Sequence, residues 1–172
     1  IEFPGLNDYK KIFFLRDPRD VLVSAYYSFG YTQVEPDSKK ILKEFNLKRN
    51  EIQKQTIDEF VLKQSKEWIK PLYMDYKSIK ESTNKEVLYL TYNQYVENPK
   101  KFVCEIFNFF KIHNQDSINF LTKIANPITE IKKSDQHKRS GKNNQWETDL
   151  LESTQIKLNN DLNEILKYWK FC

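Results

Sequence analysis

Arg16 stands at the end of a short apolar run, Ile12-Phe13-Phe14-Leu15, with Lys10 and Lys11 before it, and is followed at once by Asp17-Pro18-Arg19-Asp20. An unbroken apolar run of this length is the signature of a strand buried on both faces, so Ile12 to Leu15 reads as a central strand of a parallel sheet. Asp17 can cap a helix that opens on Pro18, because proline lacks the N–H that would be left unpaired there, and Asp20 adds negative charge to the first turn. The helix continues through Val21, Leu22, Ser24, Ala25, Tyr26 and Phe29. A cation at the carboxyl end of a parallel strand, beside a helix amino end, is a place for an anion. The same residues also have a bland reading: arginine after a strand is often a solvated end, and Asp-Pro-x-Asp opens many helices. Arg19 is placed on the exposed side of the first turn and given no role.

The rest of the chain must supply elements to hold such a site. Residues 30 to 55 are polar and basic with Pro36, which reads as a surface excursion with one helical turn at 41–45 that could act as a lid. Thr56, with Glu59 three residues on, has the form of a capping box for a helix through Phe60, Val61 and Leu62. A helix is expected over Trp68 to Ser82, opened or kinked at Pro71. Val87-Leu88-Tyr89-Leu90 reads as a second buried strand, and two strands separated by helices make an α/β layer fold. Pro99 starts an amphipathic helix with Phe102, Val103, Ile106, Phe107 and Phe110 on one stripe, and a weaker one spans Asp116 to Ala125. Residues 127–147 read as a loop and 153–169 as a helix. The stripes are core packing, and Trp146 is a packing residue.

Composition limits the function classes. The 172 residues are 39% hydrophobic and 15% aromatic, enough for one domain with a core. Twenty-eight basic residues against 24 acidic give +4, interleaved and not in a stripe, which argues against nucleic acid as a partner. No apolar run is long enough to span a bilayer, and the first residues lack the zones of a signal peptide. Cys104 and Cys172 form no metal spacing, so two free thiols in a reducing, cytoplasmic setting are expected.

Three blocks of the sequence carry a resemblance. "FFLRDPRDVLVSAYYSF" resembles the strand and helix of sulfotransferases that use 3′-phosphoadenosine 5′-phosphosulfate (PAPS). "VLYLTYNQYVENPKKFVCEIFNFF" resembles the second strand, Tyr-containing turn, Asn-Pro and helix of that family, and "KRSGKNNQW" its late loop. The blocks follow in the family's order and span Lys11 to about Trp169. The resemblance implies that Arg16 and Ser24 hold the 3′-phosphate of the donor, with Arg139, Ser140 and Gly141 closing on the same phosphate. Guanidinium groups suit a phosphate dianion because they make paired, charge-assisted hydrogen bonds, and glycine at 141 lets the backbone approach. Tyr73 is the candidate adenine contact. The fold implied is the three-layer, P-loop-like sulfotransferase fold, with PAPS as donor, PAP as product and no required metal.

The departure from the family lies at the front. The phosphosulfate loop with its lysine and the histidine base are not found among these residues, whose glycines are only Gly5, Gly30 and Gly141. The chain therefore reads as the carboxyl-terminal two-thirds of one sulfotransferase domain, residues 1–172, with the catalytic residues unassigned. Two alternatives stay open: a catalytically inactive PAP- or PAPS-binding module of the same ancestry, and a nucleotide kinase of related fold. The acceptor could be a small molecule, a lipid or a sugar, shaped by residues 30–55 and 127–137, and a homodimer is compatible with the family.

Overall fold

The computed structural model describes residues 9–82, 86–124 and 143–171. In chain order these form β1 (Lys11–Leu15), α1 (Pro18–Tyr27), α2 (Lys39–Gln53), α3 (Ile57–Gln64), α4 (Lys70–Ser82), β2 (Val87–Thr91), α5 (Tyr92–Glu97), α6 (Pro99–Phe109), α7 (Gln115–Ile124), α8 (Gln145–Asp149), α9 (Glu152–Asp161) and α10 (Asn163–Trp169). The result is a helix-rich α/β fold with a small parallel sheet. The chain divides into two compact units, and the division falls between Arg16 and Asp17 and again between Asp75 and Tyr76, inside α4. One unit carries the sheet with α5, α6 and α7; the other carries α1 to α3, the first half of α4, and α8 to α10.

In the sheet unit, β1 and β2 pair in parallel from Lys11↔Val87 to Leu15↔Thr91. Both runs were expected as buried strands, and both are strands, but β1 is not buried on both faces: Ile12 is 36% and Phe14 is 52% exposed. Two residues apart, Ile12 and Phe14 share one face of β1, and that face is only partly covered. Rings take up the slack. Phe14 packs edge-on against Phe102 at 5.3 Å, and Phe13 stacks on Tyr89 at 5.6 Å. Helix α6 opens on Pro99 with the Asn98 side chain accepting from Lys101 N–H, and it buries Val103 and Phe107. Burial and the neighbouring Tyr92 push the Tyr95 phenol up from its ordinary pKa.

The helical unit has the deeper core, with Leu22, Val23, Val61, Ile69, Leu158 and Leu162 fully buried. The Thr56–Glu59 capping box forms in both directions, as expected. Pro71 follows a π-type turn at Ser65–Ile69, so the proline occupies the opening turn of α4, where a missing N–H costs least. Two expectations fail here. The excursion over 30–55 is mostly α2, fifteen residues long, and it buries none of its side chains. Lys, Leu, Glu, Arg and Gln favour helix without needing a core, a preference that a search for apolar stripes passes over. The single helix over 153–169 is two, broken at Leu162 (φ −101°, ψ 4°).

Candidate anion site at the end of β1

Register decides the surroundings of Arg16. Leu15 is paired with Thr91, so the residues that follow, Arg16 and Tyr92, leave the sheet side by side. The guanidinium of Arg16 lies over the Tyr92 ring, 4.5 Å from its centre. Tyr92 is held in turn by a capping box at the start of α5: Thr91 Oγ1 accepts from Gln94 N–H at 3.3 Å, and Gln94 Oε1 accepts from Thr91 N–H at 2.7 Å. A cation over a tyrosine face is attracted by the ring quadrupole, worth about 0.5–1 kcal/mol at exposed sites and about 2 or more when desolvated. The interaction uses the flat face of the guanidinium and orients the group.

The helix that follows is anchored differently. Asp17 caps α1 by accepting from Arg19 N–H at 2.9 Å, with Pro18 as the first helical residue, as the sequence required. Arg19, expected on the exposed side, is 7% exposed. Its Nε and Nη2 donate to the two carboxylate oxygens of Asp17 at 2.9 and 2.6 Å, Nη1 donates to Asn159 Oδ1 at 2.7 Å, and Nη2 donates also to the Phe171 carbonyl at 2.8 Å. Its guanidinium lies 3.8 Å from the centre of the Trp146 ring. The reason is covalent geometry: a long side chain at the second helical position can fold back onto its own cap residue. Asp20 is 1% exposed and is no solvated charge either. It accepts from Asn144 N–H at 2.9 Å and Trp146 N–H at 3.3 Å, thereby capping α8 from outside that helix. Residues 145–147, read as the end of a loop, open α8 (Gln145–Asp149) for this reason. Trp146 is buried, as expected of a packing residue.

Of the other expected site residues, Ser24 is half-buried on α1 and Tyr73 is 3% exposed on α4, both in the helical unit, whereas Arg16 belongs to the sheet unit. Arg139, Ser140 and Gly141 lie outside the described residues. Sequence reasoning missed Tyr92 as the partner of Arg16. The available signal was weak: Arg16 stands one position past its apolar run and Tyr92 two positions past its own, and only the register brings them together. Among the described residues no cluster of three His, Cys, Asp or Glu is placed to hold a metal, and no helix is long and apolar enough to cross a membrane.

A parallel strand pair with Arg16 past the end of one strand and Tyr92 past the end of the other marks an α/β protein, and the carboxyl ends of such strands are where ligands are sought. The sulfotransferase domain family model matches residues 5–169, nearly the whole chain, and the protein belongs to that family. None of the curated proteins compared with the chain matches it.

Proposed function

We propose that the protein binds PAPS and that this chain supplies the half of the donor site that holds the 3′-phosphate, within one sulfotransferase domain of the three-layer, P-loop-like kind. The observation that carries the proposal is Arg16, fixed over Tyr92 at the end of β1 in a chain matched by the family over residues 5–169. Arg16 and Ser24, with Arg139, Ser140 and Gly141 of the late loop, are the phosphate group of the site, and Tyr73 is the adenine contact. The reaction is an in-line transfer in which an acceptor oxygen or nitrogen attacks sulfur, the bond from sulfur to the bridging oxygen breaks, and PAP departs with that oxygen. The residues assigned here bind and orient the donor, contributing positioning instead of the chemical step. The acceptor is a small molecule, lipid or sugar, the setting cytoplasmic, and the assembly a monomer or homodimer, which sedimentation would distinguish.

Calorimetry with adenosine 3′,5′-bisphosphate tests this. Arg16→Ala and Arg139→Ala should each lose more than about tenfold in affinity, roughly 1.4 kcal/mol. Wild-type binding that both variants retain would overturn the assignment. A second reading is a PAP-binding module without catalysis. Transfer of labelled sulfuryl from PAPS to a panel of phenols and sugars separates the two, and Mg-ATP hydrolysis in place of PAP binding would favour the kinase.

A further inference from the structure

A groove of about 340 Å³ lies wholly within the helical unit, between α2 and the π-type turn Ser28–Thr32 that extends α1. Its apolar walls are Phe29, Ile41, Phe45 and Ile52, and its polar ones include Lys48, Arg49 and Glu44. The volume falls in the range of small-ligand sites, about 300–1,000 Å³, which are mostly apolar with a few placed polar groups. Two features show that the groove is built. Gly30 admits Ile52 so closely that a Cβ at position 30 would stand 3.1 Å from Ile52 Cγ2. Gln53 Nε2 donates to the Gly30 carbonyl at 2.7 Å, tying the turn to α2.

Arg49 gives the groove its chemistry. The guanidinium stands 4.4 Å from the centre of the Phe45 ring, and Nη2 donates to the Gln33 carbonyl. Nη1 is 3.7 Å from Glu35, whose carboxylate is 60% exposed. Nε is buried and finds no hydrogen-bond acceptor among the described residues. With Nη2 bonded to the Gln33 carbonyl, the guanidinium keeps N–H donors that an incoming carboxylate could use. Lys48 precedes Arg49 and Glu44 lies one turn before, so the walls carry two positive charges against one negative. Meanwhile Ile41 stays 56% and Phe29 39% exposed.

We propose that this groove binds a small amphipathic carboxylate, with its apolar body against Phe29, Ile41, Phe45 and Ile52 and its carboxylate at Arg49 and Lys48. The groove falls in the segment, residues 30–55, expected to shape the acceptor pocket, but none of its residues belongs to the proposed phosphate group or adenine contact, so its ligand is titrated without PAP or PAPS and the outcome does not depend on theirs. Decanoate, decanol and decyltrimethylammonium are the probes, titrated into the intact chain by calorimetry and by NMR of the isoleucine methyls. Decanoate should bind with shifts at Ile41 and Ile52, at least tenfold more tightly than the other two. Arg49→Gln should weaken it at least tenfold. Ile41→Asp, on a helix with no buried residues and so safe for folding, should do the same. Equal binding of the three probes, undiminished binding in Ile41→Asp, or shifts confined to other methyls would overturn the proposal. So would the absence of decanoate binding to folded protein.

Discussion

Arg16 and Arg19 are three residues apart in one motif, yet they inhabit different kinds of structure. Arg16 ends a strand in the sheet unit, where Ile12 and Phe14 stay partly exposed and rings pack on rings. Its guanidinium lies over the Tyr92 ring. Arg19 opens a helix in the unit whose core is fully buried, and donors on all three of its nitrogens are committed to Asp17, Asn159 and the Phe171 carbonyl. The contrast separates two uses of a guanidinium. Both guanidinium groups lie over a ring, Arg19 over Trp146 and Arg16 over Tyr92, but Arg19 is also a buried ion-pair partner of its own cap residue, which makes it part of the core. A sequence motif that holds two arginines need not hold two ligand-binding groups.

The comparison can be broken most sharply at Arg19. Arg19→Leu leaves the buried Asp17 carboxylate without its ion-pair partner, and loss of one member of a buried pair costs about 3–5 kcal/mol. Urea unfolding should register that loss, while Arg16→Leu should cost well under half as much; equal losses would erase the distinction. A smaller effect sharpens the other side. Tyr92→Leu removes the stacking face without touching a hydrogen bond to any nucleotide. PAP affinity, if Arg16 serves the 3′-phosphate, should then fall by about 0.5–1 kcal/mol, roughly two- to fivefold. Stability in urea should change less than in Arg19→Leu.

The smallest effect lies in the helical unit's capping box. Hydrogen bonds from the Thr56 backbone, then its hydroxyl, hold the Glu59 carboxyl below its usual pKa. A depressed folded-state pKa means that the stabilisation is present above the ordinary value of 4.5 and is lost as pH falls through the folded one. Thermal melts of wild type and Glu59→Gln should therefore differ slightly at pH 6 and converge toward pH 3. A gap that widens on acidification would show the sign to be wrong.

Much of the local structure was legible. Strand runs at 12–15 and 87–90, the Asp17–Pro18 start, the Thr56 box and the Pro99 helix all follow from rules that act within a few residues. What escaped were features with partners far along the chain. Arg19 was misplaced because Asn159 and Phe171 are more than a hundred residues away. The αL residue Lys170 (φ 60°) turns the chain so that Phe171 N–H reaches the Leu166 carbonyl, and the Phe171 carbonyl is the one that meets Arg19. Nothing near Pro18 announces this. Helix α2 escaped for the opposite reason: it is carried by propensity, without a buried stripe to signal it.

The amino-acid sequence by itself determined the class of the protein, its two strand runs and the starts of α1, α3 and α6, because caps, prolines and apolar runs act through adjacent atoms and the family's blocks are contiguous. It also singled out Arg16 as a cation at a strand end. Only the tertiary structure decided that the same motif's second arginine is a buried tie, that Asp20 caps a helix more than a hundred residues on, and that Tyr92 faces Arg16. Strand register and long-range hydrogen bonds set those outcomes, and both depend on which distant residues the fold brings within about 3 Å of each other.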